Sequence, residues 1–117
     1  MPKYMLLLHG DPTGWVTLSP EEMQKGIEKY VAWGRKLREA GILDSSHKLA
    51  DEPGKVMRSN NTGKIRVSDG PYSETKEVLG GYYIISADNY EQAIERSRDC
   101  PQLEWGGTIE VRQIDLV

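Results

Sequence analysis

The sequence predicts a single α+β domain, residues 1–117, of the ferredoxin-like split βαβ design with one inserted hairpin. Three observations carry that expectation. Segments with strand character and segments with helical spacing succeed one another as β-α-β, a hairpin, then β-α-β. The 117 residues, 38% hydrophobic and 28% charged, suffice for one core. The runs Tyr4-Met5-Leu6-Leu7-Leu8 and Tyr82-Tyr83-Ile84-Ile85 are apolar at consecutive positions, so both faces of those strands are expected to be covered.

Residues 3–9 read as the first strand, which Gly10-Asp11-Pro12-Thr13-Gly14 breaks into a loop holding Trp15. The first helix has a strong start: Ser19 suits the N-cap, Pro20 the first helical position, and Glu22 completes a capping box. Met23, Ile27, Tyr30, Val31, Gly34 and Leu37 recur at helical spacing, with Trp33 on the flank of that stripe and Gly41 as the left-handed stop. A second strand opens at Ile42-Leu43 and extends toward Leu49. The turn Asp51-Glu52-Pro53-Gly54 leads to a hairpin, Val56-Met57-Arg58 against Ile65-Arg66-Val67. Asp69-Gly70-Pro71 breaks the chain again before a polar stretch over 72–77. Residues 82–85 form the next strand. Asp88 is placed to cap a second helix with Ala93, Ile94 and Ser97 facing inward, Pro101 ends it, and residues 108–116 form the last strand.

Two helices cover one face of such a sheet. A second copy of the chain is the economical cover for the other face, so a homodimer is expected. The net charge of −3, with Lys and Arg scattered among carboxylates, argues against a nucleic-acid partner. The apolar run at residues 4–8 is too short for a membrane span or a signal peptide, which points to no membrane and a cytoplasmic address. The single cysteine, Cys100, excludes an intrachain disulfide and a cysteine-rich zinc site. No metal-ligand spacing, nucleotide-binding glycine loop or nucleophile elbow is present, and no cofactor is expected.

The titratable residues concentrate around one segment. Asp69, Glu74, Lys76 and Glu77 crowd the stretch before the strand at 82–85, and Tyr72 and Tyr82 bring aromatic rings to it. In a ferredoxin-like sheet the second strand runs antiparallel to the third, which places His47 beside Gly80 and Gly81, where that stretch enters. His9 is expected toward the opposite end. His47 and Asp69 are thus the candidate acid–base pair, with Tyr72, Glu74, Lys76, Glu77 and Tyr82 edging a pocket for a small polar ligand. Structural readings stand beside these. Asp69 can brace its turn through backbone N–H groups, the loop charges can form a solvated salt-bridged surface, and His47 can be a plain strand residue. Gly80-Gly81 either admits a ligand or makes a strand-entry bulge.

The stretch from Val67 to Tyr83, VSDGPYSETKEVLGGYY, resembles the signature of the YCII-related family's DGPF branch, with Tyr72 in place of the usual phenylalanine. Lys3-Tyr4-Met5-Leu6-Leu7 followed by Gly10-Asp11, the Ser19-Pro20-Glu21-Glu22 helix start, and residues 107–111 fit the same pattern. The resemblance implies a dimeric α/β barrel. It also implies lyase- or isomerase-like chemistry from a histidine and an aspartate in a cleft, or else a non-catalytic sensing module linked to sigma-factor-dependent transcription. The family's histidine belongs to the first helix, whereas residues 19–40 contain no histidine.

Overall fold

The structure is a computed structural model that describes residues 1–70 and 77–116, without the side chain of Val16. Strands β1 (Lys3–Gly10), β2 (Leu43–Lys48), β5 (Val78–Ser86) and β6 (Thr108–Gln113) form one sheet in the order β2-β5-β1-β6, every neighbour antiparallel. Strands β3 (Lys55–Ser59) and β4 (Ile65–Asp69) pair only with each other. Helix α2 (Pro20–Glu39) joins β1 to β2, and α3 (Tyr90–Ser97) with a 3₁₀ turn (Pro101–Trp105) joins β5 to β6. The strand order and directions are those of a split βαβ, with the β3–β4 hairpin inserted between the halves.

Local chemistry explains most of these elements. The capping box forms as written: the Glu22 N–H donates to Ser19 Oγ and the Ser19 N–H to Glu22 Oε1. That reciprocal bonding to Ser19 favours the ionised carboxylate and holds the Glu22 pKa below its ordinary value. Gly41 takes φ 73° and ends the helix. The expected loop after Gly10 instead contains a short helix, α1 (Pro12–Val16), because Asp11 accepts from the Thr13 N–H and hydroxyl and Pro12 fits the first turn. The cap of α3 is Asn89, one residue after the expected Asp88; its side chain accepts from the Gln92 N–H at 2.9 Å. α3 also stops at Ser97, and Pro101 opens the 3₁₀ turn rather than ending the helix.

The core lies between the sheet and the two longer helices. Tyr4, Leu6, Leu8, Ile85, Trp33, Leu37, Ala93 and Cys100 are buried there, with Tyr83, Leu43, Ile109 and Val111 packed alongside. Burying one leucine or isoleucine fully contributes about 1.5–3 kcal/mol, and Leu6 and Ile85 are inaccessible. Trp33 corrects the expected stripe. It is buried, whereas Ile27 and Val31 are exposed, so α2 is rotated to seat the largest ring. The indole packs edge-on to Tyr83 at 4.7 Å and donates to Asp99 Oδ1 at 2.9 Å, a tertiary partner that helical spacing does not reveal. Ile94, expected inward, is likewise exposed, while Ala93 and Ser97 are buried.

The described chain is two layers deep, with Cα extents of 48 × 44 × 19 Å. Its radius of gyration of 16.2 Å exceeds the roughly 13 Å of a compact domain this size. The β3–β4 arm accounts for the shape, since both its strands are exposed apart from half-buried Val56.

Candidate functional site

On β1 and β5 the side chains that alternate with the core residues are Met5, Leu7, Tyr82 and Ile84, half-buried on the face away from the helices. The paired strands continue that face outward. His47 stands opposite Tyr82 on β2, Glu110 opposite Leu7 and Thr108 opposite His9 on β6. The result is an apolar centre flanked by polar and titratable groups.

His47 and Tyr82 meet. His47 Nδ1 lies 2.8 Å from the Tyr82 hydroxyl, with the ring centroids 5.6 Å apart. Register makes the contact: His47 and Tyr82 are direct cross-strand partners, held by the β2–β5 ladder and by the Leu49 N–H donating to Gly80 O at 2.9 Å. A neutral imidazole that accepts the phenolic hydrogen at Nδ1 presents an Nε2–H donor. A charged one donates from both nitrogens.

His9 is not at the opposite end of the sheet, as expected, but at the same end as His47. β1 and β2 both run antiparallel to β5, so they are parallel to each other, and their later halves both flank the start of β5. His9 faces Leu79 there. Its Nε2 is 3.3 Å from Glu110 Oε1, a diagonal neighbour on β6. Beside this pair the Thr108 hydroxyl donates to Glu77 Oε1 at 3.0 Å. A half-buried relay fixes the backbone under His9: the Tyr30 hydroxyl donates to Gln102 Oε1 at 2.6 Å, and Gln102 Nε2 donates to His9 O at 2.8 Å. Sequence reasoning missed His9, Thr108 and Glu110; the strand directions were the signal that places them.

Asp69 ends β4 on the arm, where Lys55 Nζ donates to it at 2.6 Å across the hairpin, and no bond joins it to His47. The pair is exposed on both sides and worth little energetically. Tyr72, Glu74 and Lys76 lie outside the described residues. Gly80 is the extra residue of a β-bulge: Leu8 pairs with Gly81 but His9 with Leu79. Among the described residues no group of three or more His, Cys, Asp or Glu is placed to hold a metal ion.

The strongly perturbed acidities lie on the helix side of the sheet. Burial, reinforced by Cys100, pushes Tyr83 up to about 12. Burial, with the nearby Asp99 and Glu104 carboxylates, raises Cys100 to about 11 against an opposing bond involving the Gln102 backbone. For Asp99 burial acts upward, but the Lys36 ammonium and the Trp33 N–H outweigh it and hold the carboxyl below its ordinary value. Cys100 lies in the core and Tyr83 packs against it, whereas Asp99 is exposed.

No helix among the described residues is long and apolar enough to cross a membrane. A comparison with curated proteins finds an uncharacterized protein of Rhizobium meliloti (strain 1021), 31% identical over 114 residues, covering 97% of this chain and 92% of that protein. The family model for the YCII-related domain matches residues 2–116. With the match running over almost the entire chain, the protein belongs to the YCII-related family.

Proposed function

We propose that the protein works as a homodimer, a dimeric α/β barrel in which two open sheet faces meet, and that it binds a small polar molecule beside His47 and Tyr82. The observation that carries this reading is the 2.8 Å His47–Tyr82 contact at the edge of a half-buried apolar face that no helix covers. Closing that face excludes water from Met5, Leu7, Tyr82 and Ile84 and strengthens every polar interaction at its rim. The chemistry such a site suits is proton transfer of the lyase or isomerase kind. With Nδ1–H donating to the Tyr82 oxygen, His47 takes up or releases the proton at Nε2, and the Tyr82 hydroxyl hydrogen is left to donate to a developing oxyanion. In this reading Glu77, with Tyr72, Glu74 and Lys76 of the segment before β5, forms the polar rim.

Sedimentation equilibrium at micromolar protein is expected to return twice the chain mass, and a purely monomeric species refutes the dimer. For the site, a library of small carboxylates and hydroxy acids is screened by the NMR signals of the two histidine rings. Binding molecules are expected to move the His47 signal and to lose affinity in Tyr82→Phe while the dimer persists. Binders that leave His47 unmoved refute the placement.

A further inference from the structure

We infer that the β3–β4 arm is a clasp that closes on the acidic body of a second copy of this chain. The inference rests on the homodimer reading and adds the surface that fastens it. A hairpin of two short strands is marginal by itself in water, and this one shares no ladder with the main sheet. Its two faces differ. On one, Met57 lies opposite Val67 and Ile65 opposite Ser59, and the three apolar side chains are 60–67% exposed. On the other, Arg58 lies directly opposite Arg66, a like-charge pair that works against the hairpin unless an anionic surface meets it. Neither arginine, nor Lys64 near the tip, makes an ion pair among the described residues.

Charge selects the occupant. Residues 55–69 hold Lys55, Arg58, Lys64 and Arg66 against the one carboxylate Asp69, a net +3. The remaining residues hold eleven basic and seventeen acidic side chains, a net −6. Among those acids Glu28, Glu39, Asp88, Glu91 and Asp115 make no ion pair among the described residues. Each copy thus offers a basic arm and an acidic body, and a two-fold axis uses both twice. Opposite potentials of this kind steer encounter and fix orientation, and the apolar side of the arm supplies area to bury.

The test is dimer dissociation measured by sedimentation velocity at about 0.05 and about 0.5 M salt, conditions that bracket strong and weak screening. Wild type is expected to dissociate more readily at the higher salt. Arg58→Glu takes the arm from +3 to +1 yet places opposite charges across the hairpin, so the hairpin itself is not weakened. It is expected to weaken the dimer about tenfold at low salt and to flatten the salt dependence. Lys64→Glu moves both quantities the same way. If both variants dimerise like wild type at both salts, the clasp is overturned while the homodimer stands. A monomeric wild type removes the homodimer and the clasp with it. A short DNA duplex that retains wild type but releases both variants, with dimerisation unchanged, reassigns the arm to nucleic acid and overturns the inference.

Discussion

One methyl group placed at each of three glycines separates architecture from ligand access in the signature stretch. A Cβ on Gly70 would lie 1.9 Å from Pro53 O and 3.0 Å from its carbonyl carbon, so the base of the arm must open by about 1.5 Å to reach ordinary contact. Overpacking of that size costs about 1–3 kcal/mol. The Gly70 N–H bond to Gly54 O, 3.1 Å long, is lost with it and adds about 0.5–1.5 kcal/mol. Because the arm shares no ladder with the main sheet, the loss of about 1.5–4.5 kcal/mol falls on the arm alone. Hydrogen exchange in Gly70→Ala is therefore expected to erase protection at 55–59 and 65–69 while β1 and β5 keep theirs. Gly81 differs, since its Cβ would meet His47 O at 2.9 Å and Lys48 Cα at 3.4 Å inside the main sheet. Gly81→Ala is expected to lower global stability by about 1–3 kcal/mol, read as a drop in melting temperature. At Gly80 the nearest atom is Leu8 O at 3.9 Å, an ordinary contact. Gly80→Ala is the control and stays within about 0.5 kcal/mol of wild type. Arm protection in Gly70→Ala equal to wild type, or a Gly80→Ala as damaged as Gly81→Ala, refutes this reasoning.

Burial holds Cys100 as a neutral thiol, with its acidity moved to about 11, so iodoacetamide at pH 8 should leave it unmodified in the native protein and label it quantitatively in denaturant. Native labelling at the rate of a free thiol would contradict that burial. A folded value raised above the ordinary 9.0 means that the stability Cys100 contributes is complete below pH 9 and lost as pH climbs through about 11. Asp99 works in the other direction. Its carboxyl is held below the ordinary 3.8, so its contribution is present above that pH and lost as pH falls through the folded value. Asp99→Asn should flatten the acid limb of a stability-against-pH curve, and an unchanged acid limb counts against the Lys36 and Trp33 bonds as its source.

What could be read in the chain was what neighbouring residues decide among themselves. Ser19 and Glu22 close their box within one turn, and the hairpin, β2 and β5 follow from strand chemistry bounded by turns. The His47–Gly81 neighbourhood followed from topology, and its product, the His47–Tyr82 bond, joins two residues both assigned to the site. Trp33 was misjudged because its partners Tyr83 and Asp99 come from distant segments. His9 was misplaced although the information was available, since two strands antiparallel to a third must share an end. Gly70 reads in the sequence only as part of a chain break, but the carbonyl that excludes a side chain there belongs to Pro53, on the other limb of the arm.

The central position of β1 has a consequence for how the chain is made. Both ladders of β1 close far along the sequence, with Lys3 opposite Ser86 and Tyr4 opposite Gln113. During synthesis α2 and the arm can form from local contacts, whereas the strand that every core contact surrounds waits for residues 78–86 and then 108–113. Non-local pairing of this kind folds slowly. Throughout that interval Tyr4-Met5-Leu6-Leu7-Leu8 is an uncharged, β-prone stretch with no proline, the kind of segment that aggregates and that chaperones hold. Lys3, which in the finished sheet donates to Ser86 Oγ at 2.9 Å, is until then a charge guarding the strand's leading end.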